Sequence, residues 1–167
     1  AQGLGIAQRS YDEAAKFAGE RKQFGRFLNE IPEVANHLAV IKRQVDISRY
    51  LVGKAARHEK QGDPHAYVWA SLAKFIASET AIWAAGDAML LHGGMGYVRE
   101  TPISHVWLDS AVIRIYEGTS HIQSKILEKY WDKDRLASLF PPNALLVDAK
   151  NLPSVLQITA DVEAWMM

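Results

Sequence analysis

The chain has 167 residues, 49% of them hydrophobic and 23% charged, with nineteen basic side chains against nineteen acidic ones. That is one domain's length and a globular composition, able to bury roughly two-thirds of the surface its unfolded form exposes, and its charge balance argues against a general binder of nucleic acid or anionic membranes. The absence of cysteine removes disulfides, zinc–thiolate sites, iron–sulfur clusters and a thiol nucleophile together, and no run of about 18 apolar residues offers a membrane span.

The N-terminus, AQGLGIAQRS, has no initiator Met, basic region or continuous apolar stretch. It does not read as a signal peptide, and it points to a processed chain or a piece of a larger one. A first helix is expected over about 4–18, where Leu4, Ala7, Tyr11, Ala14, Ala15 and Ala18 recur at helical spacing. A polar stretch, Glu20-Arg21-Lys22-Gln23, then leads into Phe24-Gly25-Arg26-Phe27, a turn with aromatic anchors. A second helix opens at Ile31-Pro32-Glu33, with proline in the first turn. Its apolar stripe is Val34, Leu38, Ile41, Val45, Leu51 and Val52, and Lys42, Arg43, Arg49, Lys54 and Arg57 form mostly a solvated face. Gln61-Gly62-Asp63-Pro64 ends it, with Asp63 as N-cap and Pro64 as first residue of a third helix reaching Leu91. That helix is dense in alanine, and Ser78-Glu79-Thr80 interrupts its large apolar residues.

Three long helices with short connections predict an all-α fold, an antiparallel up-and-down bundle. His92-Gly93-Gly94-Met95-Gly96-Tyr97 stops the third helix. Because this glycine-rich loop follows a helix and not a strand, it is no Rossmann fingerprint. Thr101-Pro102 should cap and open a short helix towards Asp109; Glu117-Gly118 reads as a break; and Thr119 or Ser120 should cap a last helix bearing Ile122, Ile126, Leu127 and Tyr130. The bundle is expected to occupy residues 1–131. Residues 132–167 form a tail of uncertain structure that could hold one short helix around Val155 to Trp165.

Chemistry-bearing residues are few. A di-iron bundle needs Glu-x-x-His pairs, and no glutamate here has histidine three residues later. His105 and Asp109 sit four apart and read as an ordinary polar pair, so no metal site is expected. Glu117 is the acid of interest. Its apolar and aromatic flank would desolvate a carboxylate and suit it to general-base work, and Gly118 lets the backbone turn beneath it. Taken alone, such a residue is more often a helix-terminal acid without a role.

Four blocks, in order, carry a resemblance. They are Glu20-Arg21-Lys22-Gln23-Phe24-Gly25; Ala73-Lys74-Phe75-Ile76-Ala77-Ser78-Glu79; the 92–97 loop with Glu100 and Pro102; and Ile115-Tyr116-Glu117-Gly118-Thr119-Ser120 with Ile122-Gln123. Together they make residues 1–131 resemble the C-terminal helical domain of the FAD-dependent acyl-CoA dehydrogenases. The resemblance implies removal of the proton α to an acyl-CoA carbonyl by Glu117, with hydride passing from the β carbon to FAD, and help from the Glu117 N–H in holding the thioester oxygen. It implies that Tyr116 lines the substrate cavity and that Gly118 and Thr119 lie near the cofactor. Arg21 and Phe24 would reach the FAD of a neighbouring subunit, and the loop containing Gly93 and Gly94 would approach the dinucleotide with its backbone. It further implies an electron-transfer acceptor protein and a homo-oligomer, a tetramer in the full enzyme. With no cysteine and no signal peptide, a reducing interior such as the cytoplasm is expected. The chain departs from the family pattern at Leu90, where many relatives have Gln; at Leu108, where Arg is common; and at His121, in place of Gln or Glu. Leu90 and Leu108 favour an alternative, a non-catalytic helical interaction or assembly module derived from that family.

Overall fold

The computed structural model describes residues 1–130, and the expected tail helix around Val155 to Trp165 lies outside them. Helix α1 spans Gln2–Glu20. A hairpin of two short strands follows, β1 (Lys22–Gln23) and β2 (Arg26–Phe27), and a 3₁₀ turn over Leu28–Glu30 leads into α2 (Pro32–Lys60). Then come α3 (Ala66–Leu91), a single helical turn α4 (Gly94–Tyr97), α5 (Pro102–Ile113) and α6 (Ser120–Tyr130). The all-α expectation holds.

Helix α3 organises the rest. Fourteen of its residues are buried, on every side, as expected of a helix apolar all round. It packs against α1, α2, α5 and α6. Its contact with α1 is a seam of small side chains, for α1 buries Gly3, Ala7, Ser10, Ala14 and Ala18. At Gly3 the two backbones come so close that an added Cβ would stand 2.7 Å from the Ala77 carbonyl oxygen. Further along, Ala7 packs with Ala84, Ala14 with Ala88, and the Phe17 ring stacks on His92 at 4.3 Å. These pairs rise together in number, so α1 and α3 run parallel, with α2 antiparallel between them in sequence. Ile41 and Val45 of α2 join the Ala7–Ala84 layer. The bulkiest layer gathers Ile47 and Leu51 of α2, Trp69, Leu72 and Ile76 of α3, and Leu127 of α6.

Two boundaries and one cap differ from the sequence reading. Helix α3 begins at Ala66, not Pro64, and His65 is its N-cap. Asp63 acts one step earlier: its Oδ1 accepts the His65 N–H at 2.8 Å and its carbonyl accepts the Ala66 N–H at 2.9 Å. Helix α5 continues past Asp109 to Ile113, because Ser110 and Ile113 fall on its buried face and nothing in between breaks the pattern. Thr101 is the N-cap of α5, but its side chain makes no capping bond. The expected turn at Phe24-Gly25 is present as a hairpin with Lys22 opposite Phe27. Phe24 (φ 54°) and Gly25 (φ 79°) both take positive φ, as a two-residue type I′ turn requires.

Asp63 also ties the end of α2 to the start of α3, with Oδ2 2.6 Å from His58 Nδ1. The His65 backbone N–H, then the His58 side chain, hold its carboxyl below the usual carboxylate range. A carboxyl depressed in the fold contributes stability that is present above its unfolded pKa and is lost as pH falls through the folded value. Asp63→Asn keeps an oxygen for the His65 N–H and removes the charge. Its thermal midpoint should lie below the parent's at pH 6, and the gap should close as the pH is lowered past about 4. Thermal denaturation of both proteins across that range checks it.

Candidate active site

Helices α5 and α6 lie end to end along α3, both antiparallel to it. Trp107 sits over Gly86, the Lys74 Nζ reaches the Ile113 carbonyl oxygen at 2.9 Å, and Tyr130 meets Tyr67 edge to face. Residues 114–119 are the break between them. Here Glu117 adopts φ 55° and Gly118 φ 88°. A non-glycine residue in the left-handed region costs on the order of 1–2 kcal/mol and persists only where its surroundings over-determine it. The surroundings are polar. Gln123 Nε2 donates to the carbonyl oxygens of Glu117 and Gly118 at 3.2 and 3.3 Å. The Ser120 N–H donates to the Arg114 carbonyl at 3.2 Å. Thr119 precedes α6, and its Oγ1 accepts the Ile122 N–H at 3.4 Å.

The break opens onto a cleft of about 210 Å³, lined among others by Gln2, Lys74, Ser78, Tyr116 and Glu117. Tyr116 donates its hydroxyl proton to Gln2 Oε1 of α1, so the first turn of α1 forms one wall. Burial pushes the Lys74 ammonium below the usual lysine range, against the opposite pull of Glu117 and Glu79. The cleft therefore pairs an accessible carboxylate with a partly desolvated cation. One expectation is corrected here. The apolar flank of Glu117 does not desolvate it within this chain, since Ile115 is 64% exposed and Glu117 itself is exposed.

The other sequence-predicted residues lie elsewhere. Arg21 and Phe24 sit on the hairpin beyond the C-terminal end of α1, and Gly93 and Gly94 follow the C-terminal end of α3. Because α1 and α3 are parallel and Phe17 stacks on His92, these two groups share one end of the bundle. Some fifteen residues of α3, about 22 Å of helix, separate them from the Glu117 cleft. That end is conspicuously bare: Phe24 is 88% and Tyr97 87% exposed, Arg21 is exposed, and Gly93 and Gly94 face open space. Leu90 and Leu108 are surface residues too. Among the described residues no group of three or more His, Asp or Glu side chains could hold a metal. His105 instead places Nε2 2.7 Å from the Arg99 carbonyl oxygen.

Sequence reasoning singled out neither Lys74 nor Gln123 as a site residue, and it passed over Glu79, whose carboxylate reaches both sides of the break. The available signal was a charge within an otherwise apolar helix.

Residues 1–130 match the family model described as acyl-CoA dehydrogenase, C-terminal domain. The chain is 40% identical over 127 residues to the 3-(aryl)acrylate reductase of Clostridium sporogenes, covering 76% of this chain and 33% of that protein. It is 36% identical over 126 residues to the CarC subunit of the caffeyl-CoA reductase–Etf complex of Acetobacterium woodii, covering 75% and 33%. The fold superposes on butyryl-CoA dehydrogenase from Megasphaera elsdenii with a TM-score of 0.76 at 34% identity, covering 78% of this chain and 34% of that one. The chain thus spans about a third of the length of these relatives.

Gly118 is the tightest point of the break, for an added Cβ would stand 2.7 Å from Gln123 Nε2. Gly118→Ala should therefore displace Gln123 as well as incur the left-handed penalty. The expected loss is about 1–2 kcal/mol, measured by urea denaturation, with Gln123→Ala partly additive to it.

Proposed function

The chain belongs to the acyl-CoA dehydrogenase family as its C-terminal helical domain, and from that premise we propose that it supplies the general base and part of the FAD site for α,β-dehydrogenation of an acyl-CoA thioester. The observation that carries this reading is Glu117. Its backbone is held in a strained conformation by Gln123 and by the ends of two helices, and its accessible carboxylate stands at a cleft. Strain maintained around an exposed acid fits a positioned catalytic group better than a helix-terminal residue without a role.

The residues present suit one wall of a flavin dinucleotide site. Arg21 is an exposed guanidinium able to offer several donors to a diphosphate. The open backbone at Gly93 and Gly94 allows close approach. Exposed Phe24 offers an aromatic face. The family resemblance assigns Arg21 and Phe24 to the cofactor of a neighbouring subunit, which suits their distance from the Glu117 cleft, and places Gly118 and Thr119 beside the cofactor reached from the cleft. Bound FAD supplies the hydride acceptor. Within this chain, Tyr116 borders the acyl group, the Glu117 N–H helps to hold the thioester oxygen, and the Glu117 carboxylate takes the proton from the α carbon. Run in the reductive direction, the direction named for the acrylate and caffeyl-CoA reductases, the protonated Glu117 returns that proton. Large apolar side chains left at the surface, Trp107, Leu108, Val112 and Ile115 among them, suit burial against further protein. We assign them to the contacts of a homo-oligomer, a tetramer in the full enzyme, with an electron-transfer protein as redox partner.

Two measurements test this reading. In the flavin-loaded enzyme, Glu117→Gln preserves size and hydrogen bonding but cannot take the proton, so flavin reduction by acyl-CoA in stopped flow should fall by about 10²–10⁴-fold. Reduction at the parental rate refutes the assignment. The 167-residue chain alone offers FAD only a phosphate-side wall, so fluorescence titration should give weak binding or none. Tight stoichiometric binding would contradict the division of the site.

A further inference from the structure

Glu79 lies midway along α3, facing the gap between α5 and α6. A single oxygen, Oε1, accepts from Arg114 Nε at 2.9 Å and from Ser120 Oγ at 2.6 Å. Arg114 is the C-cap of α5 and Ser120 is the first residue of α6. One atom on the central helix therefore holds both flanks of the break in which Glu117 sits at positive φ. An exposed ion pair between two surface side chains contributes little. This contact differs, since the carboxylate side chain is only 32% exposed, it takes two donors from opposite sides of one loop, and it is carried by the most buried helix of the fold. The Lys74 bond to Ile113 fixes the approach to the same break from an earlier turn of α3.

We infer that Glu79 is a positioning residue for Glu117: it fixes the 114–119 loop against α3 and with it the place of the Glu117 carboxylate. The inference rests on the reading of Glu117 as the base. Glu79 touches no reacting atom. The Ser120 N–H already closes the turn onto the Arg114 carbonyl; Glu79 acts by anchoring both flanks of that closed turn to α3 through the Arg114 and Ser120 side chains. A base displaced by even about 1 Å loses much of its effect, which makes the placement of the loop a determinant of rate.

The test uses Glu79→Ala, which removes the acceptor for both donors, and Glu79→Gln, which keeps an oxygen and loses the charge. By hydrogen exchange on the 167-residue chain, Glu79→Ala should speed exchange of the 114–120 segment about tenfold or more and leave α1 and α2 at the parental rate. In the flavin-loaded enzyme it should lower kcat about tenfold or more with KM within about twofold. Glu79→Gln should recover most of both. Ser120→Ala, which removes one donor, should have a smaller effect and add little on top of Glu79→Ala. Unchanged exchange at 114–120 overturns the inference, as does faster exchange throughout the bundle or a parental kcat with a loosened loop. A parental rate in Glu117→Gln overturns the base assignment instead, and is told apart because the exchange of the loop does not depend on it.

Discussion

The close approach of α1 and α3 along their small-residue seam is the constraint on which the rest of the molecule depends. With Gly3 against the Ala77 backbone and alanines down both helices, the pair can only lie parallel and in one register. That register decides what stands where along α3. Beside the middle of α3 the first turn of α1 meets Tyr116 and closes the cleft at Glu117. At its C-terminal end, Phe17 stacks on His92 and brings the hairpin beside the glycine loop. A larger side chain in the seam would part the helices and uncouple both places.

Since α3 is buried on all sides, its few polar groups act where they can reach a partner, and they sort by position. Ser48 and Thr80 bond to each other in the interior between α2 and α3. Ser78 turns back to the Phe75 carbonyl. Lys74 and Glu79 reach outward, to the end of α5 and to both sides of the break. A desolvated cation and a twice-bonded carboxylate are costly in an apolar helix unless satisfied. Lys74 finds its partner at the end of α5 and Glu79 on both flanks of the break that holds Glu117.

The chain also presents large apolar side chains that its own fold does not bury. Leu90, Leu108 and Val112 stay at the surface. Such a surface suits burial against further protein.

How much of this could be read from the sequence follows from which interactions are local. Helical periodicity, the proline at position 32, the Phe24-Gly25 turn and the break at Glu117-Gly118 are all set within a few residues, and they were legible there, as was the family signature of the four blocks. The start of α3 was misread by two residues because Asp63 spends its side chain on the turn before the helix. The exposure of Glu117 and the roles of Lys74, Glu79 and Gln123 were not legible. These depend on which helices lie side by side, and Glu79 finds its partners 35 and 41 residues away. The sequence by itself determined the helices and the acid at the break. Only the tertiary structure decided what contacts that acid's loop and set the remaining candidate residues about 22 Å apart along α3, because both depend on the packing register of helices distant in the chain.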